Sequence, residues 1–567
     1  MRKSILFALL TLLPFYGFAQ ELAIKVDSVG TLSKTLTDST KYHYNSLKIS
    51  GKLNGVDLSL IKDIATHSKV RNPGEVLLNH IDLSDAYIVE SKISKAIKTE
   101  LNVLPDKLFS NAKNLEVVVL PNAITAIGEA AFDGCKQLKT ISLPNKVKEV
   151  RIRAFNNCET LEQVTFPDGF LKVDDHAFDN CEELKEVSLP SSVTKVGVSA
   201  FEGCKRLKYV VIGGPVATIE RAAFKGCEQL SSITLHDATK VIDKSAFQDC
   251  KSLSSISLPK NLTEIGNHAF DKCQNLKTIE LPTGVKKLGS QAFINCANLE
   301  SISLNSSLSE LENSTFSGCT SLKAIALPKG MKKIGSHAFE NCKKMASVEM
   351  PASLQTIEES AFEGCKNLVS FTLPNTLTEI KSYAFKDCSA LPSIEIPITV
   401  KKMGSHVFEK CTALTTAQVN AFIKKLRDST FEDCISLNQV SLPNTLEEVQ
   451  DNAFQGCKAL TSITLPVTVK EIGSAAFKDC SSLQTVELPT SLKKISSKAF
   501  SRCIALTNIR SHAALPPKCS SDNVFKDVPL YSCKLTVPTA CKPIYSMEKV
   551  WKSFPVIVEY TLVESTY

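Results

Sequence analysis

Seventeen of the 20 cysteines in this 567-residue chain, from Cys135 to Cys503, recur every 23 residues without an insertion or deletion. A fixed period over that length means that one structural unit is copied many times, each copy stacking on the one before it. Such an array buries apolar side chains between neighbouring copies and leaves an extended surface exposed. The cysteine ladder therefore predicts a repeat solenoid that works by presenting a surface rather than by enclosing a catalytic pocket.

The repeat reads C-x-x-L-x-x-I-x-L-P-x-x-V-x-x-I-G-x-x-A-F-x-x, as residues 135–157 and 273–295 illustrate. Phe lies three residues before every ladder cysteine, and Leu lies three residues after 16 of them, with Met345 as the exception. The alternation in I-x-L predicts a short strand with one buried side. Pro follows in 12 of the 17 copies and ends the strand because it has no N–H to donate. Glycine, frequent after the second Ile, suits a sharp turn.

The chain divides into four segments around this array. We expect a signal peptide over 1–19, an N-terminal cap region over 20–99, about 18 repeats of 23 residues over 100–515 and a C-terminal cap over 516–567. Caps are needed because the terminal repeats would otherwise expose their apolar faces. We expect the repeats to form one continuous stack.

The A-F-x-x-C corner and the L-P strand exit resemble the BspA-type leucine-rich repeat of bacteria over about residues 100–515. Residues 47–64 and 77–90 resemble the N-terminal cap of secreted members, and residues 533–554 resemble their closing segment, although Thr536 replaces the usual aromatic residue. The resemblance implies a curved, right-handed leucine-rich-repeat superhelix with one parallel β-sheet, capped at both ends. It also implies a role in adhesion, because several members are surface adhesins.

The N-terminus has the pattern of a secretory signal: Arg2 and Lys3, an apolar run over 5–15, and Gly-Phe-Ala at 17–19. Cleavage after residue 19 would leave Gln20 first and lower the formal net charge from +7 to +5. The apolar run is too short to span a bilayer, no cysteine near the junction suggests a lipid anchor, and no later stretch resembles a transmembrane helix. We expect an exported protein, secreted or at the outer cell surface, with the periplasm as an alternative.

The ladder cysteines are expected to be reduced and buried. Parallel side chains on neighbouring coils would lie about 4.8 Å apart, whereas disulfides prefer a Cβ separation of about 3.8 Å. Small thiols that fill a repeat corner fit the flanking Leu and Phe better than paired or metal-bound cysteines do. Three cysteines outside the register, Cys519, Cys533 and Cys541, are compatible with one disulfide in the cap, whose pairing the sequence leaves open.

Catalytic and metal-binding patterns are absent from the sequence. His176, His268, His337 and His406 share one repeat slot, but they lie three or four repeats apart, roughly 14–19 Å at the spacing of parallel strands. They cannot share a metal ion and are best interpreted as polar residues on a turn. No nucleophile, phosphate-binding or dinucleotide motif occurs, and the charge is close to balanced. We therefore expect no enzyme, no cofactor and no nucleic-acid partner.

The candidate binding residues lie five and seven positions after each cysteine, where the strand faces away from the core. This face is rich in Ser and Thr, carries Glu280, Glu349, Glu395 and Glu487, and has Tyr209 as its only aromatic residue. Tight interfaces usually centre on aromatic or Arg anchors, which this face offers only sparsely. Rungs of stacked Ser and Thr that only stabilise the sheet are an equally good interpretation.

Two irregular stretches, around 209–217 and 415–427, depart from the repeat. The second contains Phe422, Lys424 and Lys425, an apolar and basic cluster. Drift at exposed positions of the repeat is the preferred explanation of such departures, and a binding role is the alternative. Lysines also recur in pairs after the strand, and these pairs are best interpreted as a solvated edge, with a basic stripe for an acidic partner as the alternative: Lys286–Lys287, Lys332–Lys333, Lys401–Lys402 and Lys493–Lys494.

The sequence thus predicts an exported leucine-rich-repeat protein that binds an extracellular protein or glycoconjugate. The alternative is a structural spacer of the cell envelope without a dedicated ligand. A spacer should have a uniform face, whereas an adhesin should have a local patch that departs from the repeat. The oligomeric state and the identity of the ligand are left open by the sequence.

Overall fold

The computed structural model describes residues 21–561, so the predicted signal peptide at 1–19 lies outside the described residues. The chain forms two compact units. Unit 1 runs to Leu207 and includes Val211–Gly214, and unit 2 contains Lys208–Val210 and everything from Pro215 onward.

Most coils of the repeat contain two short strands, and most of these strands pair in parallel with the equivalent strand one coil later. In unit 2, Thr485–Leu488 follows Ser462–Thr464 with Ser462 opposite Thr485, a shift of one repeat. The two-residue strand Lys494–Ile495 follows Glu471–Ile472 with the same shift. The predicted solenoid of stacked parallel strands is confirmed. The second series of strands is additional to the single sheet that the resemblance implied.

Unit 1 begins with longer strands and one helix before the short coils take over. Its longer strands are Glu21–Val26, Ser46–Leu53, His80–Asp82, Ala86–Ile88, Val117–Val119, Thr140–Ser142, Gln163–Thr165 and Glu186–Leu189. Its two-residue strands are Val103–Leu104, Ala126–Ile127, Glu149–Val150, Lys172–Val173 and Lys195–Val196. A 3₁₀ turn covers Leu32–Lys34, and the helix covers Gly55–Thr66.

The helix of unit 1 starts at a capping box. The Asn54 side chain accepts hydrogen bonds from the N–H groups of Val56 and Asp57, and the Asp57 carboxylate accepts from the Asn54 N–H. The same carboxylate accepts from the N–H groups of Gly30 and Leu32, so one buried acid joins the helix to the preceding loop. Charge-assisted bonds of this kind satisfy donors that a helix start would otherwise leave unpaired.

Unit 2 repeats the two-strand coil with few exceptions, and the strand Tyr209–Ile212 contains residues of both units. Its strands of three to five residues are Ser232–Thr234, Thr278–Glu280, Ser301–Ser303, Ala324–Ala326, Ser347–Glu349, Ser393–Ile396, Thr416–Val419, Gln439–Ser441, Ser462–Thr464, Thr485–Leu488, Asn508–Ser511, Lys534–Pro538 and Val556–Tyr560. Its two-residue strands are Thr218–Ile219, Val241–Ile242, Glu264–Ile265, Lys287–Leu288, Glu310–Leu311, Lys333–Ile334, Thr356–Ile357, Glu379–Ile380, Lys402–Met403, Lys425–Leu426, Glu448–Val449, Glu471–Ile472, Lys494–Ile495 and Lys518–Cys519. The helix Lys542–Met547 and the 3₁₀ turns Leu530–Ser532 and Trp551–Ser553 complete it.

The core of the coils is a column of phenylalanine rings beside a column of thiols. The Phe293 ring stacks between those of Phe270 and Phe316, with centroids 5.2 and 5.7 Å apart. The Cys319 thiol is fully buried and donates a hydrogen bond of 3.2 Å to the Phe293 carbonyl of the preceding coil. The same bond recurs along the ladder. The expectation of buried, unpaired ladder cysteines is confirmed.

Two residues per coil adopt the left-handed backbone conformation, at five residues and at one residue before the cysteine. In one coil they are Ser314 at φ 54° and Gly318 at φ 75°. The glycine that follows the second Ile has a different role, because it does not adopt positive φ. A Cβ at Gly335 would lie 2.6 Å from the Leu311 carbonyl oxygen, so glycine allows a close approach of the preceding coil at this position.

The three cysteines outside the ladder are free thiols, so the disulfide expected among Cys519, Cys533 and Cys541 is not formed. Cys519 and Cys541 each lie near a carbonyl two residues earlier in their own turns, with sulfur–oxygen distances of 3.8 and 3.7 Å. Cys533 is buried at the start of the strand Lys534–Pro538. Each thiol is accommodated locally, and the Trp551 indole N–H fastens this region by donating to the Pro517 carbonyl at 2.9 Å.

Candidate partner-binding surface

The four glutamates predicted on the strand face are exposed, but they lie in four different coils and do not form one cluster. Glu395 accepts a hydrogen bond of 3.1 Å from the Asn420 side chain, and Glu487 lies 3.2 Å from His512 Nε2. Glu280 borders a cavity of about 860 Å³ whose wall is rich in Ser and Thr hydroxyls. Glu349 ends the strand Ser347–Glu349.

Tyr209 is exposed over 56% of its surface, and Val211 on the same strand is exposed as well. That Tyr209 contributes to a binding surface stays a prediction. Nothing brings Tyr209 together with Phe422, Lys424 or Lys425, because those three residues lie more than 200 positions further along the chain, nine coils away at the period of 23. The predicted residues thus belong to separate surfaces.

The second irregular stretch changes the path of the chain. Asn420 occupies the slot of the exit proline, and its N–H donates to the Ile396 carbonyl at 3.0 Å. The strand Thr416–Val419 is consequently four residues long. In the preceding coil the Val400 N–H closes a turn onto the Pro397 carbonyl, whereas the equivalent Ile423 N–H donates to the Ala421 carbonyl at 3.0 Å. The Phe422 N–H donates to the Val400 carbonyl at 2.9 Å. An available N–H at the exit slot has replaced the ordinary turn with an inter-coil contact.

The second series of strands is interrupted at the same coil. The strands Lys402–Met403 and Lys425–Leu426 are not paired with each other, although each is paired with the strand on its other side. Equivalent bonds one coil earlier are intact, with Lys401 N–H donating to Thr378 at 2.9 Å and Gly404 N–H to Ile380 at 2.8 Å. Within residues 21–561, the following four main-chain groups have no hydrogen-bond partner: the N–H groups of Lys424 and Arg427, and the carbonyls of Lys401 and Met403.

A cavity of about 880 Å³ lies at this opening. Its apolar wall is formed by Ile380, Met403, Phe422 and Ile423, and its basic residues are Lys381, Lys401, Lys402, Lys424, Lys425 and Arg427. The Phe422 ring is 59% exposed and also borders a second cavity of about 670 Å³, next to Ile398, which is 68% exposed. Phe422 therefore stands between two concavities on the surface of unit 2.

The predicted cations of this cluster are engaged with neighbouring acids. Lys424 Nζ lies 3.0 Å from Glu447, and Lys425 Nζ lies 2.8 Å from Glu448. Hydrogen bonds from Lys470 and from Lys424 lower the pKa of Glu447 to about 2, so this carboxylate stays ionised between its two lysines. Exposed pairs of this kind stabilise little, but they neutralise the charge that the sequence suggested.

Among the cations that have no such partner, Lys401 and Lys402 form one of the lysine pairs noted in the sequence, whereas Arg427 was not singled out there. Lys401, Lys402 and Arg427 are exposed and have no ion pair among the residues at 21–561. The acids Glu359 and Glu379 line the same cavity without forming an ion pair in the described part of the chain. The available signal was positional, because Lys401 and Lys402 occupy the repeat slots of Lys424 and Lys425 one coil earlier.

The four histidines of the shared slot occupy the left-handed turn position, with φ between 56° and 61°. Each Nδ1 lies 2.9–3.3 Å from a carboxylate three residues later, on Asp179, Asp271, Glu340 or Glu409. The described residues contain no group of three His, Cys, Asp or Glu side chains arranged to hold a metal ion. The histidines therefore act as local turn residues, as the sequence predicted.

Comparisons with known proteins agree with the coil geometry. The model of the BspA type leucine rich repeat region matches residues 102–231, 217–346, 332–460 and 424–546, which is most of the chain. The chain belongs to the BspA-type leucine-rich repeat family. No curated protein shows significant similarity to it. In the described part of the chain, every helix is too short or too polar to cross a bilayer.

Several solved structures are similar to this family member. A leucine-rich repeat protein from Bacteroides ovatus is 33% identical, with 62% of this chain and 92% of that chain covered and a TM-score of 0.57. A leucine rich cell surface protein from Faecalibacterium prausnitzii is 22% identical, with 78% and 85% covered and a TM-score of 0.21. The pneumococcal vaccine antigen PcpA is 22% identical, with 70% and 93% covered and a TM-score of 0.32.

Proposed function

We propose that this chain is an exported binding protein that presents the surface of its solenoid to an extracellular protein or glycoconjugate, without catalysing a reaction. The observation that carries the proposal is the exposed apolar pair Ile398 and Phe422 beside two cavities, at a coil that departs from the repeat. Large exposed apolar side chains next to concavities are typical of interaction sites. The secretory pattern at residues 1–19 supports export.

The alternative function, an envelope spacer, is favoured by a different observation. Along the second series of strands, lysines and acids of neighbouring coils form regular pairs, as in Lys287–Glu264 and Lys494–Glu471. Such a charge-balanced ladder stabilises the stack and offers a partner the same chemistry at each step. The two functions therefore predict different behaviour at the irregular coil.

The test uses the mature chain from residue 20 against immobilised extracellular matrix proteins and a glycan array. One variant replaces residues 417–423 by the sequence of residues 394–400, which is the equivalent text of the preceding coil. The matched control replaces residues 463–469 by the sequence of residues 440–446, which exchanges one regular coil for another. We expect binding to fall at least tenfold only in the first variant. An intact protein that binds no component, or that binds equally well in both variants, would favour the spacer or a site elsewhere.

Export is tested separately by expressing the full chain and fractionating the cells. We expect the protein outside the cytoplasm and beginning at Gln20, and we expect a chain that lacks residues 1–19 to stay inside. A full-length chain retained in the cytoplasm with its first 19 residues would contradict export.

A further inference from the structure

We propose that the opening between residues 401–404 and 424–427 binds an extended acidic peptide segment of the partner, whose main chain bonds to the unpaired groups at the coil boundary. The proposal rests on the proposed binding function and names the class of partner for one surface. Three independent features of the opening carry it: unpaired main-chain groups, unpaired cations and exposed apolar side chains.

The main-chain groups point to a peptide. Lys424 N–H, Arg427 N–H and the carbonyls of Lys401 and Met403 are all without partners among residues 21–561, on the two sides of one cavity. Main-chain groups that the protein itself leaves unpaired can bond to a ligand, and an extended peptide offers donors and acceptors in alternation. The equivalent bonds at the coil before are formed by the protein itself, so these four groups are available to the main chain of a partner.

The charge of the opening points to an acidic segment. Lys401, Lys402 and Arg427 are unpaired cations of the cavity, against the two unpaired acids Glu359 and Glu379, so cations are in excess among its unpaired charges. Lys424 and Lys425 are already paired with Glu447 and Glu448. Fixed cations of this kind attract and orient an acidic partner, and added salt weakens this attraction by screening the charges.

The apolar residues favour a peptide over an anionic polysaccharide. Phe422 and Ile398 are exposed over 59% and 68% of their surfaces, and the cavity wall includes Met403. A sulfated or carboxylated glycan would use the lysines but would have no apolar side chain to bury against Ile398. A strand with acids on one side and apolar residues on the other would use both, since successive side chains of a strand alternate in direction.

A second break in the same series of strands shows why charge matters. The strands Lys287–Leu288 and Glu310–Leu311 are likewise not paired with each other. There Lys287 is held by Glu264 at 2.6 Å, and the far side of the break carries Glu310 and Glu312. This boundary has no comparable excess of cations, so an acidic strand should discriminate between the two breaks.

The experiment measures binding of the mature protein to four probes by calorimetry at low and high salt. The first probe is a dodecapeptide of alternating Glu and Val with one central Phe. The second replaces each Glu by Lys, and the third carries N-methyl groups at alternate residues, which removes main-chain donors without changing charge. The fourth is a heparin oligosaccharide of matched charge. We expect the first peptide to bind, the second not to bind, and N-methylation to weaken binding at least tenfold.

Two variants locate the site. The double variant Lys401→Glu/Lys402→Glu should lower the affinity for the acidic peptide at least tenfold. The control Lys493→Glu/Lys494→Glu changes the same slots in a coil whose strands are paired, and it should leave that affinity within twofold. Asn420→Pro restores the exit residue of most copies. It should slow amide exchange at residues 424 and 427 as the boundary closes, and it should reduce binding although every cation is retained.

Three outcomes would overturn the inference. The first is that the N-methylated peptide binds as tightly as the unmodified acidic peptide, and the second is that heparin binds more tightly than the acidic peptide. The third is that both lysine variants lose the same affinity for the acidic peptide. Each outcome would indicate that charge alone causes binding. If Asn420→Pro leaves amide exchange unchanged, the N-methylated probe and the lysine variants decide. If matrix proteins bind in a way that depends on residues 417–423 but acidic peptides do not bind, the inference is refuted and the proposed function still stands. If the protein binds neither the matrix proteins and glycans nor the acidic peptide, the inference and the proposed binding function are both refuted.

Discussion

The column of buried thiols should make the protein unusually sensitive to alkaline conditions. Burial raises the pKa of Cys250, Cys273 and Cys296 well above their ordinary value of 9.0, and it raises the pKa of Cys135 to about 12. The thiols therefore stay protonated in the folded protein after the unfolded chain has begun to lose protons. Their contribution to stability is fully present below pH 9.0 and is lost as the pH rises towards the folded values.

The magnitude follows from the number of thiols that one unfolding event exposes. At pH 10 each buried thiol with an unfolded pKa of 9.0 lowers the free energy of unfolding by about 1.4 kcal/mol relative to neutral pH. A block of four coils should therefore lose about 6 kcal/mol, a large fraction of the stability of an ordinary domain. Ionisation would also remove the proton that each thiol donates to a phenylalanine carbonyl, as Cys319 does to Phe293.

The assay is urea denaturation of the reduced mature protein between pH 7 and pH 10.5. The comparison variant carries Ala at Cys250, Cys273, Cys296 and Cys319. Its unfolding midpoint should be lower at pH 7, because four small cavities remain, but should fall less steeply above pH 9. Lysine and tyrosine titration affects both proteins equally and cancels in the difference. Parallel pH profiles of the two proteins above pH 9 would refute the reasoning.

Three further predictions concern the core and the surface. Phe293→Ala should cost about 3–5 kcal/mol, with faster amide exchange in the coils of Phe270 and Phe316 and little change several coils away. Exchange that rose uniformly would contradict nearest-neighbour stacking. Thiol counting on denatured, unreduced protein should find 20 free groups, and a count below 17 would show that ladder cysteines pair. Glu447, whose folded pKa of about 2 lies below its ordinary 4.5, stabilises above pH 4.5 and loses that contribution as the pH falls. Glu447→Gln should flatten the acid side of the stability profile, and an unchanged profile would show that its two ion pairs are immaterial.

Much of the coil was predictable because the repeat occupies the same slots at every step. The buried Phe, Leu and Cys and the outward strand residues follow from the period and from alternation along a strand. The second series of strands could not be predicted from the sequence, because a strand of two residues such as Lys494–Ile495 is too short to show an alternation of apolar and polar residues. The left-handed turn at the slot of Ser314 was also hidden, since Ala, His, Gln and Ser all occupy it and no glycine marks it.

The binding surface was less predictable than the coil, for a physical reason. The sequence shows that Asn420 replaces a proline, but whether its N–H finds the Ile396 carbonyl depends on the placement of two coils. The same limit applies to charge. Lys424 and Lys401 are equivalent in the repeat, yet the first meets Glu447 and the second meets no acid within the described residues.

The fixed bonding between coils has a consequence for how such a chain can change its length. Each corner N–H bonds to a carbonyl of the next coil 22 residues on, as Phe293 does with Thr315 and Phe316 with Ala338. Loss of a few residues would place polar side chains in the thiol column, whereas loss or duplication of a complete 23-residue segment joins equivalent buried slots. Recombination between copies can therefore lengthen or shorten the protein only in whole coils. Two features of one stack, such as the openings at Lys287 and Lys402, would then move apart in steps of about 4.8 Å.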